Sequence, residues 1–151
     1  MVTHGEMANG VMGAIRIIVG EDEEKERLHI QKVILGEGES PETLVIEITQ
    51  RVEQMAQKGF GGVLILTDLY GSSTTNAGVK TMLSENAKVN EKFQIAVVTG
   101  FNLPMVLELI PVLNDAESIK ELTKLAVETG MKSIINVSDE LMKRKKKRSE
   151  D

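Results

Sequence analysis

The chain has 151 residues, 41% hydrophobic, 27% charged and 3% aromatic, with no cysteine, no tryptophan and a net charge of −5. That is enough chain for one domain with a largely aliphatic core. The composition excludes disulfides, thiolate chemistry and cysteine-held metals, and it offers no aromatic platform for stacking nucleic-acid bases. No apolar run reaches the roughly 20 residues of a membrane span. No basic segment leads an apolar one at the start, so no signal peptide is read and a cytoplasmic location is expected. Residues 143–148 are six consecutive basic residues, so the rest of the chain is markedly acidic, which argues against a general nucleic-acid surface. The expected organisation is one domain over 1–142 and a basic, disordered tail over 143–151.

The elements alternate in the manner of an α/β chain. Only Met1, Val2 and Thr3 precede His4, so the first strand is a stub where about five residues are usual. Met7, Val11, Ala14, Ile15, Ile18 and Val19 predict one apolar face of a helix over 7–19, with Gly20 as its C-cap. Residues 21–26 read as an acidic loop and 29–35 as a strand. Ser40-Pro41-Glu42 opens a helix to about Gln57: a capping serine, proline at the first helical position and an acid in the first turn. Val63-Leu64-Ile65-Leu66 is continuously apolar, as a strand covered on both faces should be, and it ends at Thr67-Asp68. A helix is predicted over 75–85, and a buried strand over 93–98 that ends at Thr99-Gly100. Asn102-Leu103-Pro104 starts a helix to Leu113, and a further helix over 117–129 is closed by Gly130. Residues 133–137 read as a short last strand, and Ser138-Asp139 as the cap of a final helix.

Ligands of open α/β sheets bind outside the carboxyl ends of the strands. Three such ends carry chemistry here: Thr3-His4-Gly5, Thr67-Asp68 and Thr99-Gly100. Asp68 can accept the proton of one imidazole nitrogen of His4, which fixes the tautomer and leaves the other nitrogen as a nucleophile. Gly71, Ser72 and Ser73 offer backbone N–H and hydroxyl donors at a helix start, an arrangement able to cradle phosphoryl oxygens. These features together point to a site that carries a phosphoryl group. His29 lies inside a predicted strand and reads as structural. With two histidines and no HxxxH or HxxE spacing, no metal site is read. GxGxxG, GxxxxGK[ST] and GxSxG are all absent, so nucleotide binding and serine hydrolysis lack support.

At this point the residues resemble a known family, the mannose-type IIA components of the bacterial sugar phosphotransferase system. Thr3-His4-Gly5 looks like the family's phosphorylation motif. Residues 63–77 resemble its apolar strand followed by Asp-x-x-Gly-Gly-Ser-Pro-x-Asn-Ala, and residues 97–107 resemble its Gly-x-Asn-Leu/Ile-Pro-Met segment. Residues 125–130 resemble its late helix end, so the similarity spans roughly 3–137 in order. Ser72 stands where the motif has its second glycine, and Thr74 where it has proline.

The resemblance implies an open, mostly parallel sheet with helices on both faces, and a C-terminal strand over 133–137 that crosses to the partner of a homodimer. It implies that His4 takes a phosphoryl group from the histidine-containing phosphocarrier protein and passes it to a IIB component, without metal or organic cofactor. Asp68 corresponds to the aspartate that holds the histidine, Ser73 to the motif serine near the phosphoryl group, and Asn76 to the motif asparagine. Contact with the membrane is implied only indirectly, through the sugar permease. A second reading stays open: a phosphorylation-dependent regulatory module like the IIA-like domains of transcriptional activators or of dihydroxyacetone-kinase systems. A third is an inactive scaffold that has lost most of its first strand.

Overall fold

The computed structural model describes residues 1–20, 29–86 and 93–150. The acidic segment over 21–26 lies outside the described residues. Four strands, β1 (Val2–His4), β2 (Val33–Leu35), β3 (Gly62–Thr67) and β4 (Gln94–Thr99), form one sheet in the order β2-β1-β3-β4. Every pairing is parallel, so all four carboxyl ends lie along one edge. β3 and β4 pair over their full six residues, from Gly62↔Gln94 to Thr67↔Thr99. β1 pairs with β2 over three residues but meets β3 only at Val2↔Thr67.

Helices cover both faces. The sides alternate along each strand because successive side chains point opposite ways. Leu66 and Val98 pack with Met12 and Ile15 of α1 (Met7–Val19), with Met105 and Leu109 of α4 (Leu103–Leu109), and with Leu122 and Ala126 of α5 (Ile119–Lys132). Ile65 and Ile95 pack on the other side with Val2, Val33, Leu44, Ile48 and Val52, and with Ala77. Leu44, Ile48 and Val52 belong to α2 (Pro41–Gln57), and Ala77 to α3 (Ser73–Asn86). Their spacing of four residues on α2 is one helical stripe. Ser40 caps α2 as expected, its hydroxyl accepting from the Glu42 amide at 3.1 Å. Asn102 caps α4 from the Met105 amide at 3.0 Å and turns its amide nitrogen to the Gly130 carbonyl at 3.0 Å, tying α4 to α5.

Several expectations change. The strand predicted over 29–35 shrinks to Val33–Leu35, because β1 offers only three residues to pair with. His29 precedes it and stacks edge-on against Phe60 at 5.1 Å, a packing role. The buried residues of α1 are Ala8, Met12 and Ile15, while Ile17, Ile18 and Val19 are exposed. A 13-residue helix is about 20 Å long and a three-residue strand about 10 Å, so the last turn of α1 has little of β1 beneath it. Gly130 does not close α5. It sits buried inside it, where the absence of a side chain admits Met105 Cε.

The C-terminus departs most. Residues 133–137 form no strand: Ser133 ends α5, 134–136 are irregular, and Val137 begins α6 (Val137–Glu150). A strand requires a neighbour to pair with, and among the described residues these have none. Asn136, not Ser138, sits at the helix start. Its side chain exchanges hydrogen bonds with the Asp139 amide at 3.3 Å and the Asp139 carboxylate at 2.8 Å. The basic run expected to be disordered lies within α6. Acids in the first turn and cations toward the end both suit the helix dipole, and Lys and Arg are good helix formers.

The Met1 α-amino group is buried and donates to the Gln31 carbonyl at 2.6 Å. It borders an apolar cavity of about 150 Å³ beside β3, lined by Val2, Val52 and Leu64 and, from the other face, by Leu109 and Leu122 among others. Burial, reinforced by nearby Lys32, lowers its pKa from 8.0 to about 5. Between those values the unfolded chain binds more protons, so stability rises with pH through this window. A chain carrying labelled Met1 is expected to show an α-amino titration near pH 5, with urea midpoints that increase from pH 5 toward 8. A second expectation concerns Gly62, where a Cβ would collide with the Gln94 carbonyl and the Ile119 side chain. Gly62→Ala is expected to cost about 1–3 kcal/mol in urea unfolding, as overpacking does in other cores.

Candidate active site

His4 is the last residue of β1, and Asp68 is the first residue past β3. Parallel pairing brings the two ends together. The His4 backbone N–H donates to Asp68 Oδ2 at 2.7 Å, and ring atom Nδ1 meets the same oxygen at 2.9 Å. The other oxygen, Oδ1, accepts from the Leu69 amide at 2.9 Å and from the Thr74 hydroxyl at 2.7 Å. A carboxylate has about four acceptor positions, and here four donors meet them. The two partners differ in exposure: the Asp68 side chain is 10% exposed and the His4 side chain 45%.

Burial raises the pKa of Asp68. The His4 amide, the Thr74 hydroxyl and the His4 ring more than offset it, so the group stays below the usual carboxylate range. An ionised carboxylate only accepts, so Nδ1 of a neutral His4 carries the ring proton and Nε2 keeps its lone pair. The turn after the histidine depends on Gly5, whose φ of +49° suits a residue without a side chain. Its amide donates to the Leu35 carbonyl at 3.0 Å, which anchors the turn to β2. Thr3, fully buried, accepts from the Ala8 amide at 3.2 Å and so serves the start of α1.

The loop from Asp68 to α3 is tightly bonded. Gly71 turns at φ +75°, and Asn76 Nδ2 donates to its carbonyl at 3.3 Å. Ser72 accepts the Asn76 amide on its carbonyl at 2.9 Å, and its own amide donates to the Leu69 carbonyl at 3.2 Å. The Ser72 hydroxyl stays inside the loop, 2.6 Å from that carbonyl and 2.7 Å from the Thr74 hydroxyl. Ser73 is the first residue of α3, at a helix start whose leading N–H groups lack helical partners. Beneath lies a hydroxyl cluster not anticipated from the sequence. Thr75 donates to the Leu69 carbonyl at 2.7 Å, and its oxygen lies 2.8 Å from the Thr67 hydroxyl and 3.2 Å from the Thr99 hydroxyl. With its proton committed, Thr75 accepts from both, so the ends of β3 and β4 are tied to α3. The available signal was that two strands end in threonine at the same edge. Leu69 and Tyr70 are 62% and 83% exposed on the rim. No group of three or more His, Cys, Asp or Glu able to hold a metal occurs among the described residues.

A doubly wound α/β domain with an aspartate-held histidine at the carboxyl edge of its sheet defines the class. A family model described as the PTS system fructose IIA component matches residues 1–127, and the chain belongs to this family, EIIA-man. The mannose-specific EIIAB component of the phosphotransferase system of Escherichia coli strain K12 is 29% identical over 132 residues. The match takes in 87% of this chain and 36% of that protein, so the chain spans about a third of its curated relative. The crystal structure of phosphotransferase system component EIIA from Streptococcus agalactiae superposes with a TM-score of 0.75 at 21% identity, covering 91% of this chain and 95% of that one. The PTS IIA protein associated with the fucose utilization operon of Streptococcus pneumoniae gives 0.70 at 26% identity, covering 93% and 92%.

The pairing makes two linked predictions. In ¹⁵N spectra, neutral His4 is expected to show a protonated Nδ1 and a bare Nε2, and Asp68→Asn to lose that preference. Because the folded pKa of Asp68 is depressed, its contribution to stability is present above the unfolded carboxylate pKa and is lost as pH falls through the folded value. Urea midpoints should therefore drop below about pH 4 less steeply in Asp68→Asn than in the parent chain.

Proposed function

We propose that the protein is a phosphohistidine carrier of mannose-family sugar uptake. His4 takes a phosphoryl group from the histidine-containing phosphocarrier protein and hands it to a IIB component. The observation that carries this reading is the shared oxygen of Asp68, which holds both the amide and Nδ1 of His4 and leaves Nε2 as the nucleophile. The Nε2 lone pair attacks phosphorus and an Nε2–P bond forms. The N–P bond of the donor histidine breaks, and its electron pair returns to the donor nitrogen. The His4 ring gains positive charge in this step, and the Asp68 carboxylate beside Nδ1 balances it. Transfer to IIB repeats the displacement in reverse roles.

The phosphoryl oxygens are received at the start of α3 by Gly71, Ser72, Ser73 and Asn76. The N–H groups of Ser73 and its neighbours act as donors, and Ser72 and Asn76 hold the loop. A half-exposed ring suits a protein partner better than an engulfed small substrate, and the bare Leu69 and Tyr70 side chains supply apolar contact beside it. Exposed Ile134, Ile135, Val137, Leu141 and Met142 form an apolar stretch that a second copy covers in a homodimer. No helix among the described residues is long and apolar enough to cross a membrane. In this reading the protein works in the cytoplasm and meets the membrane only through the permease it serves.

Incubation with phosphoenolpyruvate, enzyme I and the phosphocarrier protein is expected to add one acid-labile phosphoryl group, read by intact mass. His4→Ala should abolish the adduct, and a purified IIB component should discharge it. A folded chain that stays unmodified would overturn the reading.

A further inference from the structure

α6 stands apart from the rest of the molecule. Its 14 residues make a helix about 21 Å long, yet no other described element packs closely against it. The side chains of Lys143, Arg144, Lys145 and Lys146 are exposed. A lone helix of this length is marginal in water. Its sequence adds a further cost. Residues 143–148 are all Lys or Arg, so every three- and four-residue spacing within the run places like charges on one face, which destabilises a helix. The pair of Lys143 with Glu140, at 3.1 Å, offsets part of this at the start of the run. Successive residues step by about 100°, so the cations ring the helix instead of lining one side. A negative surface brought from outside relieves the repulsion and stabilises the helix.

α6 also starts at the edge of the sheet that carries His4. Asn102 lies just past the end of β4, and its amide nitrogen donates to the Gly130 carbonyl at 3.0 Å and to the Ser133 hydroxyl at 3.1 Å. The end of α5 is held there, and α6 begins at Val137 after a short irregular link. We propose that the basic run of α6 docks on an anionic lipid surface and keeps the His4 edge close to the membrane. The choice of surface rests on the carrier reading, in which the protein serves a permease, and deepens it. Charge complementarity selects among polyanions. The run has no Asn, Gln or aromatic side chain to read or stack bases, so a nucleic acid gains only phosphate contacts from it. A lipid surface has no geometry to satisfy, and attraction grows with each clustered Lys or Arg. The acidic remainder of the chain is repelled, but that repulsion is screened within about 8 Å at physiological salt, less than half the length of α6. The apolar stretch before the run is left to the second copy, and a dimer then offers two basic helices to one bilayer.

The test compares the parent chain with a variant carrying Arg144→Gln, Lys145→Gln, Lys146→Gln and Lys147→Gln. Glutamine keeps the helix propensity and removes the charge, and unchanged urea midpoints establish that the variant folds. Each is co-sedimented with vesicles of phosphatidylcholine alone and of phosphatidylcholine mixed with phosphatidylglycerol, and helicity is read by circular dichroism. The parent is expected to bind only the mixed vesicles, to gain helicity on binding and to be released at about 0.5 M salt. The variant should bind at least about 100-fold more weakly. A parent that ignores the mixed vesicles, or binds both kinds equally, would overturn the proposal. So would tighter binding to duplex DNA than to the mixed vesicles at equal phosphate. A dimer that dissociates in the variant at concentrations where the parent stays dimeric would assign the cations to the second copy and overturn it too. Phosphorylation by the phosphocarrier protein in solution, without vesicles, is expected to be equal in parent and variant. A parent that is never phosphorylated would sink the carrier reading alone, whereas the vesicles judge the docking by itself.

Discussion

One carboxylate joins its own loop and the helix start that follows it to a strand end 64 residues away. Asp68 takes the end of β1 through the His4 amide and ring, its own loop through Leu69, and the first turn of α3 through Thr74. Four donors on one side chain fix its rotation, its charge and its distance from the imidazole. The threonine cluster below repeats the logic with neutral groups, holding β3 and β4 against the same helix start. The polar atoms at this edge thus brace the loop as well as equip the site, and the loop's geometry is over-determined.

The parts of the fold that were legible in the sequence are those dictated by local chemistry. Val63 to Leu66 reads as a buried strand because a continuous aliphatic run has few alternatives, and Ser40-Pro41 marks a helix start by capping. The meeting of His4 and Asp68 was legible because parallel strands place their carboxyl ends on one edge, so two loaded ends are neighbours. What escaped depends on partners. The length of β2 is set by the three residues of β1, not by its own apolar content. The buried side of α1 depends on what lies beneath it. Gly130 carries the signature of a helix stop, yet its use is to make room for Met105. Thr74 is invisible as chemistry until folding brings its hydroxyl to Asp68. The C-terminal segment shows the same dependence: an apolar, β-branched stretch reads as a strand, but pairing requires a neighbouring edge.

The sheet is uneven in a way that bears on the site. β3 and β4 pair with each other over all six residues and are largely aliphatic, and they form the better secured half. β1 is short and sits centrally, with one residue pair joining it to β3, a buried α-amino group at its start and an apolar cavity beside it. A desolvated amine opposes folding, and hydrophobic burial of Val2, worth about 1.5–3 kcal/mol, works against that cost. His4 is therefore carried on the less secured half, and the aspartate that holds it sits at the end of the better paired half.

The His4 amide bond to Asp68 gives that arrangement an observable meaning. The same oxygen receives the main-chain and side-chain protons of one residue, so any opening of β1 that exposes the amide also releases the imidazole. Opening of the strand and release of the imidazole become one equilibrium at this residue. Amide exchange at His4 then reports how often the imidazole is held, and a distant substitution that merely loosens the strand frees the ring without touching it.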